Sequence, residues 1–281
     1  MRQFTWTASG SGSRLGLWLG LFGLCAAACA QQQPPPPRDP ENIESMFSFG
    51  VYYWKPDHGT PAFRGGEPNR NPSDRDLDYP RDLNPRSIGG TMTFPTGGFN
   101  RLEIGYFRVT ADGTVRAPRD VSIEGANISA DQLLAMRYQL TNMRVSWNYL
   151  TFPVPPLDSR LRVKTFWEVQ YTQIKPQISF PDIANSSTLR PDQKIFYPGV
   201  GLGLEYVASQ AFRVEARGSG MGFPGRSRYL DTEATAVARI GGVEVFGGAK
   251  LFHFRSSPKN EVYLKGTLWG PLFGVRYVFP K

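Results

Sequence analysis

The sequence predicts an all-β fold, a single antiparallel up-and-down barrel of about ten strands, and three observations carry that expectation. Apolar and polar residues alternate with a period of two over segments of about ten residues or more. The polar members of that alternation are Arg and Glu interleaved, where the water-facing side of a soluble sheet would take Ser, Thr and Lys freely. The gaps between segments are alternately short and long. Composition agrees: aromatic residues make up 13% of 281 residues, with 30 Gly and 24 Pro, a mixture suited to strands and tight connections and too rich in aromatics for a disordered chain.

Residues 1–30 carry Arg2 and Arg14, no acid, an apolar run from Leu15 to Ala28 and the triplet Ala28-Cys29-Ala30. This reads as a secretory signal peptide cleaved after Ala30. Acylation of Cys29 is the alternative, but Ala26 stands where such signals place a Leu. Both cysteines lie in this segment, so the mature chain is expected to hold no disulfide, thiolate metal centre or cysteine nucleophile. What remains has 30 bases against 24 acids, an excess that suits anionic lipid or surface polysaccharide. An exported chain does not meet nucleic acid. Residues 31–41, with four consecutive prolines, form a stiff linker. Beyond the signal segment no run approaches the roughly 20 apolar residues of a spanning helix.

The barrel is expected over residues 42–281. Its first hairpin pairs the aromatic run Met46 to Trp54 with Ser87 to Phe94, and the turn Pro95 to Gly98 follows. Eight further strands are expected near 99–110, 134–150, 161–175, 195–207, 212–221, 230–239, 243–255 and 261–279. Short turns fall at 151–160, 208–211 and 240–242, and long loops at 55–86, 111–133 and 176–194. The one stretch with any helical character is Ser129 to Met136. Eight strands plus a separate N-terminal segment is the alternative count. Parity puts Val145, Trp147, Val163, Val169, Val214 and Val245 on one face and the charged residues on the other, Arg101 and Arg162 among them.

On these residues the chain resembles bacterial outer-membrane β-barrel proteins: an export signal, alternating segments of about ten residues, an apolar aromatic outer face and a charged interior. The resemblance covers about Met46 to Phe279 and is to an architecture that many functions share. Pro271 within the last strand, and an ending on Phe279-Pro280-Lys281 rather than on the aromatic itself, depart from the pattern. The resemblance implies a transmembrane barrel in the outer membrane with both termini periplasmic, in contact with outer-membrane lipid and lipopolysaccharide. A barrel of this size has an interior largely filled by side chains. Its charge network is expected from Glu103, Arg144, Lys164, Glu168, Glu205, Arg213, Glu215, Arg217, Glu233, Arg239, Glu244, Lys250 and Arg276. Such a charge-filled interior suits a structural, surface-interaction or narrow small-solute channel role without catalysis, metal or cofactor. The alternatives are a barrel enzyme acting on lipid A or peptides and a soluble secreted all-β binding protein.

Two constellations bear on chemistry. Asp74, Asp76 and Asp78 begin like a calcium loop, but Tyr79 and Pro85 stand where that loop needs Gly and Glu. His253, on the outward parity beside Arg255, lies near the loop end of its strand. Lipid A deacylases use a His and a Ser in such a place, but their His-x-Ser spacing fails here because residue 255 is Arg. The expectation is that His253 and Arg255 contact lipid headgroups beside an aromatic girdle of Trp147, Trp167 and Tyr171. Glycines 199, 201 and 203 lack the strand-turn-helix setting of a phosphate loop and are expected to relieve barrel curvature.

Overall fold

The computed structural model describes residues 46–279 apart from 57–60, 66–76, 79–84, 98–99, 118–119, 124–125, 153–158, 183–187, 189, 191, 223–226 and 258–261. The signal peptide, the linker, His58, Asp74 and Asp76 lie outside the described residues.

Period-two alternation becomes strand throughout. In chain order the strands are β1 (Ser48–Trp54), β2 (Pro61–Gly65), β3 (Leu77–Asp78), β4 (Arg86–Gly97), β5 (Asn100–Arg116), β6 (Val121–Ile123) and β7 (Ala126–Ile128). They continue with β8 (Leu133–Phe152), β9 (Leu161–Ser179), β10 (Gln193–Val207), β11 (Phe212–Gly222), β12 (Arg228–Ile240), β13 (Val243–Arg255) and β14 (Val262–Val278). Ten of these, β1, β4, β5 and β8 to β14, pair antiparallel in chain order, and β14 returns to pair with β1, Ser48 opposite Val278. The sheet is therefore a closed up-and-down barrel of ten strands, because the N-terminal pair is part of the wall. Strands β2 and β3 add to the loop end of β14, and β6 and β7 form a hairpin between β5 and β8.

Following hydrogen-bonded partners once around the wall brings the row back to β1 about twelve residues further along. Ten strands with that stagger set a tilt of roughly 40° and a backbone radius of about 10 Å, narrow enough for side chains to meet across the centre.

Local chemistry explains the connections. Gly241 adopts φ 62° in the tight Gly241-Gly242 turn between β12 and β13, where a side chain would be strained. Pro271 is tolerated because β1 ends beside it: the last pair is Trp54 with Leu272, and the Pro271 carbonyl accepts from the Lys55 N–H. The missing donor of Pro271 thus breaks no ladder bond. Two expectations are corrected. Leu133 to Met136 is strand rather than helix, since the β5 and β9 partners continue to its end. The strands β5, β8 and β9 also run further than their membrane-length alternation suggested, to Arg116, from Leu133 and to Ser179, so the loops at 111–133 and 176–194 are shorter than expected.

Inward glycines make room for rings. A Cβ on Gly199 would lie 1.6 Å from the Tyr229 hydroxyl, and one on Gly201 2.1 Å from the Phe166 ring. Tyr229 and Phe166 lie flat across β10 because nothing projects there. Gly199→Val is expected to displace Tyr229 and destabilise the barrel by about 1–3 kcal/mol, read as a lower urea midpoint for loss of the heat-modifiable band.

Candidate functional site

The two faces of the wall follow the predicted parity. Outward residues such as Val145 (45% exposed), Trp167 (71%) and Val245 (49%) present an apolar belt, while Arg144, Glu168, Glu205, Glu244 and Lys250 are buried inside. Every residue expected in the charge network faces the interior, and all of them take part in ion pairs there.

The charges form two sets. The central set joins strands far apart in sequence. Arg144 donates to Glu103 (2.7 Å) and Asp231 (3.0 Å), and Arg217 bridges Glu103 (2.5 Å) and Glu168 (3.4 Å). Lys250 binds Asp231 (2.6 Å) and Glu233 (3.6 Å), while the Tyr229 hydroxyl and Gln170 donate to Glu168. Among the described residues, three bases here meet four carboxylates.

The second set lies toward the turn end, where the first strand begins at Ser48 and the last ends at Val278. Arg213 holds Glu244 through both terminal nitrogens at 2.7 Å and Glu215 through Nε at 2.6 Å. Glu205 takes Lys164 (2.7 Å), Arg162 (3.3 Å) and Arg213 (3.8 Å), Arg276 reaches Glu215 and Glu244, and Arg239 lies 3.9 Å from Glu244. The pairs among the described residues here join five bases to three carboxylates. Between the two sets is a cavity of about 140 Å³ lined by Tyr52, Thr91, Arg101, Phe166, Thr235 and Phe246 together with charged members of both.

Sequence reasoning left Asp231 out of the network, although it shares the parity of Glu233 two residues on and is among the most buried acids. It also expected charge along the whole interior, and this is corrected. Toward the loop end most inward side chains are apolar: Trp54, Phe107, Leu134, Met136, Leu140, Phe252, Phe254, Leu264 and Leu268 are all buried, with Ser87 and Ser256 among them. Rings of Trp54 and Phe107 meet edge-on at 5.4 Å, Phe107 meets Phe252 at 5.3 Å, and Phe252 stacks on Phe254 at 5.9 Å. Lys250 marks the boundary, its ammonium 5.3 Å from the Phe107 centroid and 5.9 Å from that of Trp54.

The boundary has a counterpart outside. On β8 the apolar residues are Leu134, Met136, Tyr138 and Leu140 pointing in, then Met143, Val145, Trp147 and Tyr149 pointing out, with no slip of register between them. The neighbours change at the same row, since Tyr106 of β5 pairs with Met143 and Met143 with Tyr171 of β9. Beyond that row the outward residues are polar: Arg108, Thr110 and Asp112 on β5, Arg137, Gln139 and Thr141 on β8, Gln173, Lys175 and Gln177 on β9. Arg108 hydrogen-bonds Gln139 across this outer surface. These three strands therefore rise past the apolar belt as a polar wall with a greasy inner face.

His253 faces outward at the loop end of β13, where its Nδ1 is 2.8 Å from the Thr267 hydroxyl. Trp147 and Trp167 face one another near the turn end of β8 and β9, so the expected girdle does not lie beside the histidine. Among the described residues no group of three or more His, Cys, Asp or Glu could hold a metal ion.

The closed wall, apolar belt and ion-paired interior define the architecture of a bacterial outer-membrane β-barrel. Three solved structures this chain is similar to are of that kind. The outer membrane protease OmpT from Escherichia coli superposes with a TM-score of 0.51 at 9% identity, over 89% of this chain and 100% of that one. The translocator domain of the autotransporter NalP from Neisseria meningitidis gives 0.42 at 10%, over 94% and 96%. Ail of Yersinia pestis gives 0.34 at 7%, over 84% and 99%. No family model and no curated protein matches the chain.

Proposed function

We propose that this chain is an exported, outer-membrane barrel that does not conduct solutes, with its termini on the periplasmic side and its working surface on the raised wall of β5, β8 and β9. One observation carries the reading: apart from the cavity between the two charge sets, the interior is filled by paired charges toward the turns and by packed aromatic and aliphatic side chains toward the loops. A transport route would have to break both. Material invested beyond the belt instead builds an outer surface, which favours the surface-interaction role over the small-solute channel. Lipopolysaccharide suits the edge of that surface. Outward parity puts Arg86, Arg108, Lys194, Arg228, Arg255 and Lys265, with His253, at the loop-side margin of the belt, where lipid phosphates would lie. The hydrolase alternative gains nothing from His253, whose ring is engaged by Thr267.

Planar-bilayer recording on the refolded protein tests the reading. No steady current is expected, and large porin-like steps from the unmodified chain would overturn it.

A further inference from the structure

We propose that Lys250 and Asp231 condense in the folded barrel to an isopeptide bond, a covalent tie between β12 and β13. The pair meets three requirements of such a reaction: contact, dryness and a proton carrier. The Lys250 ammonium lies 2.6 Å from Asp231 Oδ1, and both residues are 2% exposed. That contact leaves the nitrogen near the roughly 3–3.5 Å from which an amine attacks a carboxyl carbon. Register holds the groups there: Glu233 is the direct partner of Lys250 across the ladder, and Asp231 lies two residues along on the same inward face. The rings of Phe107 and Trp54 cover the nitrogen at 5.3 and 5.9 Å. Apolar cover raises the cost of the ion pair and so brings it closer in energy to the neutral amine and acid that can react.

Glu233 Oε2, 3.6 Å from Lys250 Nζ, takes one ammonium proton. The freed amine adds to Asp231 Cγ. The electron pair displaced onto Oδ2 is held by Arg144, whose Nη1 donates to that oxygen at 3.0 Å. Oδ1 then leaves as water, carrying that proton and a second one from the nitrogen passed by the same carboxylate. An ammonium and a carboxylate have become an amide and one water, and Glu233 ends as it began. Glu233 also lines the cavity, which receives the water. Arg144 keeps its contact to Oδ2, which is now the amide carbonyl. Condensation of a free acid with a free amine is unfavourable in water, but groups fixed in contact act at effective molarities of roughly 10⁵–10⁸ M, enough to reverse the balance.

Mass spectrometry of the intact, detergent-folded protein is the test. The folded chain is expected to be lighter by one water than its sequence requires, and the same chain held in urea to keep its full mass. Digestion is expected to yield a branched peptide that joins the β12 and β13 segments through Asp231 and Lys250. Lys250→Arg keeps the cation without the amine, and is expected to give the heat-modifiable band at full sequence mass. Glu233→Gln removes the proton carrier and is expected to slow the loss of water by about a hundredfold. If Lys250→Arg does not fold, the branched peptide of the unmodified protein decides alone. Folded, unmodified protein at full sequence mass, or a loss of water located at any other pair of residues, would overturn the bond.

Discussion

Arg144→Met is expected to destabilise the barrel by about 3–5 kcal/mol, the typical result of removing one partner from a buried ionic network. Arg144 is 6% exposed and is the link between Glu103 on β5 and Asp231 on β12. Those strands stand on opposite arcs of the wall, so the guanidinium ties the barrel across its centre. Its loss leaves four carboxylates to Arg217 and Lys250. Urea titration in detergent, followed by heat modifiability on gels, reads the effect. The second substitution Asp231→Asn in the same chain removes one of the two acids that Arg144 binds and should recover part of the loss. A double mutant as unstable as the sum of the two singles would show that the residues do not act as a pair.

Val145→Arg is expected to cost about 2–4 kcal/mol and to block assembly, because it puts a charge at mid-depth on the lipid face of a barrel. Val145 is 45% exposed, sits between Ile104 and Val169 in the ladder, and has Met143 and Trp147 on the same face of its own strand. Among the described residues, no acid lies on that face nearby to receive the guanidinium. A single cysteine at 145 gives a direct reading in the same strand: a lipid-soluble maleimide should label it in folded protein, and a charged one should not. Ready labelling by the charged reagent would place the belt in water and exclude a membrane barrel.

The strand count, the closure and the faces at the level of the apolar belt were legible in the sequence because each rests on local alternation, and Met143 to Tyr149 alone fixes which face of that part of β8 is greasy. Register then carries that assignment to its neighbours. What the alternation did not reveal was the change of phase within one strand. Leu134 to Leu140 alternates as cleanly as Met143 to Tyr149, but on the opposite parity. With no bulge between them, the two runs can be consistent only if the surroundings change sides: lipid gives way to water outside, and charge to packed side chains inside. A pattern of residue types shows that a face is apolar without saying whether lipid or protein covers it. Asp231 was missed for a related reason, since a lone Asp between Leu230 and Thr232 looks like a solvated residue until the parity of Glu233 is carried back to it.

The raised wall also bears on how such a barrel could be built. In the proposed orientation the polypeptide enters the membrane from the side of the turns. The outward residues of the tall strands, Arg108, Arg137 and Lys175 among them, must then travel through the hydrocarbon before they reach water on the far side. The hairpins of β5, β8 and β9 therefore set the height of the insertion barrier, while the shorter arc from β11 to β13 does not. The mature barrel is uniform where lipid touches it, but its journey into place is strongly one-sided.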